Sequence, residues 1–198
     1  VFNLSERGRS IITLSIFIVF IGLLTALYYG RVDHICRCSV ALFGLSIPLW
    51  LPKVYTPRGI FKKLLTPLYD TEVMALLGVF IAVHVSLVNV PFTTIDLFHK
   101  EWRNADMISH LLGGLVLWLI IARVLVEFNL SWREVLSYSI VAFYILAIGW
   151  EVAEKISESE ISFITETLGN KIRDLVMDSM GMIIGIKIRK KLTSFRRS

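Results

Sequence analysis

The residues from Ile11 to Tyr29 form one apolar run without a charged side chain, and no other feature constrains the fold of this chain more. A bilayer core takes about 20 mostly apolar residues per helix. Within hydrocarbon a spanning segment must satisfy its own backbone hydrogen bonds, which a helix does internally. Similar runs recur at 35–51, 71–90, 107–126, 135–154 and 171–188. With 55% hydrophobic and 19% charged residues and a mean hydropathy of +0.68, the chain departs from the composition of soluble domains. The expected fold is all-α: a polytopic membrane helix bundle of about six transmembrane helices, with residues 1–198 as a single integral membrane domain.

The second run is the shortest. It contains Arg37 and ends at Pro52, and Pro48 is expected to kink it, because proline lacks the N–H that would bond the preceding turn. The first run is too long for a cleavable signal peptide and has no small-residue cleavage site, so it reads as a retained span. Cys36 and Cys38 are too few for a disulfide framework and too close for a zinc knuckle.

Lysine and arginine set the orientation. Arg7 and Arg9 precede the first run; Lys53, Arg58, Lys62 and Lys63 follow the second; Arg123 and Arg133 flank the turn after the fourth. A final cluster holds Lys187, Arg189, Lys190, Lys191, Arg196 and Arg197. If six spans alternate, all of these fall on one side, which the positive-inside rule makes cytoplasmic. Both termini are therefore expected in the cytoplasm of a multi-pass cell-membrane protein, with a prokaryotic plasma membrane as the setting. Basic residues gathered between apolar runs fit membrane topology rather than a nucleic-acid-binding face.

This orientation brings the intramembrane ionisable residues to the outer side. Asp106 and His110 open the fourth span, Glu151 and Glu154 close the fifth in "GWEVAEK", and Asp174 and Asp178 open the sixth in "NKIRDLVMDSMG". Each pair is spaced i,i+3 or i,i+4 and so shares a helix face. These six groups cannot all remain ionised in a dry crevice without a cation or shared protons. Carboxylates with one imidazole suit a divalent metal, Mg²⁺, Mn²⁺, Fe or Zn²⁺. The expected metal ligands are accordingly Asp106, His110, Glu151, Glu154, Asp174 and Asp178. His84, in the outer half of the third span, is a further candidate ligand, and Ser109 and Ser179 could add hydroxyls. His34 and His99 read as interfacial.

Simpler accounts cover part of this pattern. Asp106 and Asp174 can cap helix N-termini, and Lys155, Lys171 and Arg173 can form plain ion pairs. Capping does not explain His110 and Asp178, which lie about 6 Å deeper at 1.5 Å per residue. Intramembrane ionisable residues are by default a functional signal. Gly113-Gly114 and Gly181 to Gly185 read as surfaces for close helix approach.

The stretches "DMISH", "EVAE" and "DLVMDSMGMIIG" resemble the VanZ-like group of small membrane proteins and the similar YjdF-type family. Those proteins carry an Asp-x-x-x-His start, a Glu-x-x-Gln/Glu pair and a final Asp-x-x-x-Asn/Asp-x-x-Gly span. The matching positions are Asp106 and His110, Glu151 and Glu154, and Asp174, Asp178 and Gly181. The resemblance covers Asp106 to Gly185. It implies a shared outer polar cluster and an association with glycopeptide-antibiotic resistance, and it implies no substrate.

Three functions compete. The first is a metal-dependent membrane enzyme acting at the outer leaflet on a lipid or polyprenyl-linked substrate. There Glu151 or Glu154 would be the general base and His110 a ligand or acid, while Arg173 and Lys171 would bind the substrate's phosphate. The second is an ion- or proton-coupled carrier, which the apolar middle of most spans disfavours. The third is an accessory subunit of a membrane complex with the charges as a docking face. Membrane lipid is the expected partner in each, nucleic acid is not, and a homo- or hetero-oligomer is compatible with all three.

Overall fold

A computed structural model describes residues 5–88, 103–161 and 167–195, and the regular elements among these residues are all helical. They are α1 (Glu6–Tyr28), α2 (Val32–Val54), α3 (Gly59–Leu65), α4 (Thr71–Val83), α5 (Arg103–Val126), α6 (Trp132–Ile161) and α7 (Leu168–Phe195). A 3₁₀ turn (Thr66–Tyr69) joins α3 to α4, and a π-helical turn (His84–Val88) extends α4. The helices start where short polar side chains can accept from free backbone N–H groups. Ser5 accepts from Gly8 N at 3.2 Å at the head of α1, and Asp70 accepts from Glu72 N and Val73 N before α4. Ahead of α6, Ser131 Oγ accepts from Glu134 N at 3.4 Å while the Glu134 carboxylate accepts from Ser131 N at 2.8 Å. That is a reciprocal capping box. Thr167 Oγ1 accepts from Asn170 N at 3.3 Å at the head of α7.

Among the described residues, four helices are long and apolar enough to cross a membrane: α1, α2, α5 from Asp106, and α6 as far as Ala153. A bent pair, Gly59–Tyr69 with Thr71–Ser86 at 58°, makes a fifth if it counts as one span. The helix expected over 171–188 forms as part of α7, but it is not among these spans. Lys171, Arg173, Asp174, Asp178 and Lys187 dilute its apolar residues. The second span runs further than Ile35–Leu51. It passes Pro52 to Val54, and Tyr55 N reaches Leu51 O at 2.9 Å to close the last turn.

The chain divides into two compact units, Val1–Ser109 and His110–Ser198. In the first, α1 packs on both α2 and α4. Val19, Cys38, Leu45, Ala82 and Val85 form a buried core. Backbone proximity is set by small residues: an added methyl at Gly8 would strike the Thr71 side chain, and one at Gly78 would press on Ser15. His34, in the first turn of α2, is buried at 4% exposure. Arg31 Nη2 lies 2.7 Å from its Nε2. The second unit contains α5 from His110 onward, α6 and α7, with Trp118, Phe143 and Val135 almost fully enclosed.

Candidate metal centre

The crossing of α5 and α7 positions the candidate ligands, and it is made by glycine. A methyl added at Gly114 would overlap the main chain of Asp178, and one at Gly181 would overlap the main chain of Leu111 and Leu115. At Gly185 it would meet the Trp118 ring 2.8 Å away. Small residues at this spacing let two helices approach to backbone contact, the geometry small-x-x-x-small patterns permit. His110 is one turn before Gly114, and Asp178 is one turn before Gly181 and Met182. Close approach below them therefore brings the imidazole and the carboxylate together: His110 Nδ1 lies 3.3 Å from Asp178 Oδ2.

Two side-chain bonds tie α6 to this pair of helices. The buried Trp118 Nε1 donates to Ser139 Oγ at 2.9 Å. Tyr144 OH and Ser179 Oγ are 3.0 Å apart. Ser179 already donates to Leu175 O at 2.7 Å, so Tyr144 is the donor. Ser179 thus bonds its own backbone and secures α6. The Tyr144–Ser179 contact lies two turns before Glu151 on α6 and one residue after Asp178 on α7, and so joins the two helices beside the candidate ligands.

Glu151 completes a set of three. One ligand atom each from His110, Glu151 and Asp178 lies within 4.8 Å of the others. Glu151 is buried at 8% exposure. Its Oε2 is 3.4 Å from Lys171 Nζ, while its Oε1 is buried without a hydrogen-bond partner among the described residues. An unsatisfied buried carboxylate oxygen costs about 1–3 kcal/mol or more, and a cation shared with His110 and Asp178 would relieve it. Two carboxylates and an imidazole are sound donors for Mg²⁺, Mn²⁺, Fe²⁺ or Zn²⁺. Three protein ligands would leave coordination positions for water or substrate.

The other expected site residues are placed differently. Asp174 is 1% exposed, and its Oδ1 accepts from Arg173 Nε at 3.2 Å. Both cations expected to bind a substrate phosphate are therefore held on carboxylates, Lys171 by Glu151 and Arg173 by Asp174. Asp106 is half-buried on α5, one turn before His110 and in the first unit. The Glu154 side chain and His99 lie outside the described residues. His84 lies in the first unit, with Nδ1 2.7 Å from Ser109 Oγ, a contact that occupies two of the expected auxiliary ligands. The sequence flagged all three residues of the cluster but not the tie from Tyr144 to Ser179, because one tyrosine in an apolar helix carries no partner signal.

No family model, curated protein or solved structure matches the chain. The functional reading therefore stands on the residues themselves.

Proposed function

We propose that this chain is a multi-pass protein of a prokaryotic plasma membrane that binds a divalent metal through His110, Glu151 and Asp178. On this reading it acts as a metal-dependent enzyme on a lipid or polyprenyl-linked substrate at the outer leaflet. The single observation that carries the proposal is the buried Oε1 of Glu151, unpartnered among the described residues and within reach of His110 and Asp178. The reading includes six spans, with α7 the sixth, and both termini in the cytoplasm. Kinship with VanZ-like and YjdF-type proteins belongs to the same reading and rests on the "DMISH", "EVAE" and "DLVMDSMG" stretches alone.

A metal bound here would polarise a phosphoryl or acyl oxygen or lower the pKa of a bound water. The chain's own groups would do the rest. His110 and Asp178, in contact through Nδ1 and Oδ2 at 3.3 Å, would each turn that atom to the ion on binding. Glu151 or Glu154, one turn apart on α6, would accept the proton of the attacking water. Lys171 and Arg173 stand at the rim of the cluster, where a phosphate could draw them from their present carboxylates. Guanidinium offers the bidentate fork that phosphate prefers.

The experiment is metal analysis by mass spectrometry on protein purified in mild detergent without chelator. The wild type is compared with His110→Ala, Glu151→Gln and Asp178→Ala. The expected outcome is near-stoichiometric metal in the wild type and loss in each variant. Folded wild-type protein that takes up no metal after reloading would end the metalloenzyme reading. One observation favours a second reading: the pairs Lys171–Glu151 and Arg173–Asp174 already neutralise part of the cluster, as a structural or docking network in an accessory subunit would. In that case the same variants would break assembly with a partner and leave metal content unchanged.

A further inference from the structure

The segment between α2 and α4 has an arrangement that neither water nor hydrocarbon alone accommodates. Gly59 takes φ +56°, a backbone state that favours glycine, and so turns the chain from the extended Arg58 into α3. At 1.5 Å per residue, the seven residues of α3 cover about 10 Å, far short of a bilayer core. Thr66 and Pro67 are buried under the turn. Thr66 Oγ1 donates to Lys62 O at 2.6 Å, and Tyr69 OH donates to Tyr55 O at 2.8 Å. The second bond closes the segment on itself. The whole piece lies at 58° to α4, whose N-terminus is capped by Asp70.

The outward side of this closed elbow is mixed in character. Ile60, Phe61 and Leu64 are 51%, 59% and 48% exposed. They sit at i, i+1 and i+4, one face of a short helix. Lys62 and, just before the helix, Arg58 and Lys53 are also exposed. Three large apolar side chains on one face disfavour open water, and lysines in the middle of the segment disfavour the hydrocarbon core. A short helix lying in the headgroup plane satisfies both, with its apolar face in the acyl boundary and its cations among the headgroups. The flanking helices make the bilayer the adjacent surface: α2 is of membrane-crossing length and composition, and α4 passes the same test together with this segment.

We infer that residues 53–64 form an interfacial docking surface for anionic phospholipid headgroups, with Phe61 and its apolar neighbours as anchor and Lys53, Arg58, Lys62 and Lys63 as the basic contact. Polybasic segments beside a span gain attraction from anionic leaflets and lose it in neutral ones. The surface is independent of the proposed metal centre and stands whether or not metal binds.

The test uses the full chain in nanodiscs of phosphatidylcholine alone and of phosphatidylcholine with phosphatidylglycerol. The wild type is expected to unfold a few degrees higher in the anionic lipid, and Lys62→Glu/Lys63→Glu to lose that difference while matching the wild type in neutral lipid. An equal response to anionic lipid in both proteins would overturn the inference. If the double variant does not fold, Lys62→Gln/Lys63→Gln replaces it with the same two outcomes. Depth gives a second reading through spin labels on F61C and K62C in a C36A/C38A background. The label at 61 should collide preferentially with oxygen and the label at 62 with a water-soluble nickel complex. Equal accessibility at the two positions would sink the interfacial placement.

Discussion

Lys171 is the residue whose substitution would separate stability from the proposed metal binding. Its ammonium lies 3.4 Å from Glu151 Oε2, with both side chains close to nine-tenths buried. Removing one member of such a pair leaves the other charge uncompensated, at a cost of about 3 kcal/mol. The same ammonium opposes a divalent cation entering beside Glu151. Lys171→Met is therefore expected to lower the unfolding temperature of the metal-free protein while tightening metal binding several-fold. Thermal unfolding with and without chelator, beside a metal titration, checks both signs. A destabilised variant with unchanged metal affinity would place Lys171 outside the coordination neighbourhood. A second residue-scale expectation concerns Trp118. Ser139→Ala would leave its buried indole N–H without the 2.9 Å acceptor, at about 1–3 kcal/mol. Chemical denaturation should register this with metal content preserved, since the pair lies away from the ligands.

At the scale of elements, the glycine crossing decides whether a cluster exists. Gly181→Ala would drive a methyl into the main chain of Leu111 and Leu115, which a helix cannot yield as a side chain would. Overpacking of this kind costs about 1–3 kcal/mol or more, and the forced separation should also pull Asp178 away from His110. Gly149 on α6 has open space where its Cβ would be. Gly149→Ala should be neutral or stabilising by up to about 1 kcal/mol through helix propensity. Paired unfolding and metal-content measurements on the two variants should therefore diverge; equal losses would detach the site from the crossing. The same contacts explain what could be read from the sequence. Apolar length located α1, α5 and α6, although α6 runs on to Ile161 past the expected end at 154, because desolvation acts on each segment alone. The i,i+4 pairing of 106/110 and 174/178 identified shared faces for the same reason. Which of those faces meet is fixed by rotation about each helix axis, and that depends on contacts such as Gly114 with Asp178 and Tyr144 with Ser179 between distant positions. His84 could not be assigned to Ser109 from spacing, nor could Glu151 be distinguished from Glu154. The helix α3 was hidden too, since seven residues with two lysines read as a basic loop until the bend and burial of Thr66 and Pro67 are known.

For the whole molecule, the number of crossings turns on α7. A charged residue at the centre of a spanning helix costs about 2.5–3.5 kcal/mol on insertion scales, and five unpaired charges between 171 and 188 would defeat the apolar residues around them. They are not distributed that way. Lys171, Arg173 and Asp174 sit in the first turns of α7, two of them joined to each other at 3.2 Å and the third to Glu151. Lys187 adjoins the basic run of 189–191, where a long side chain can reach the headgroups. Only Asp178 is carried deeper, about 6 Å beyond Asp174 at 1.5 Å per residue, and it has His110 at 3.3 Å. The cost to be met is thus close to that of one paired carboxylate, which the run from Met180 to Ile186 can offset. On the proposed six-span reading, a crossing α7 would put Ser198 on the same side as the start of α1, the side to which the positive-inside rule assigns the lysines and arginines. Fusing a fluorescent protein or alkaline phosphatase after Ser198 in a bacterial host reads this directly. Bright fluorescence with an inactive phosphatase is expected; an active phosphatase would mean an odd number of crossings, and a second fusion after Asn129 tells whether the bent pair or α7 stays out of the bilayer. If α7 is the one left out, Asp178 lies in water, where its depth no longer calls for a cation.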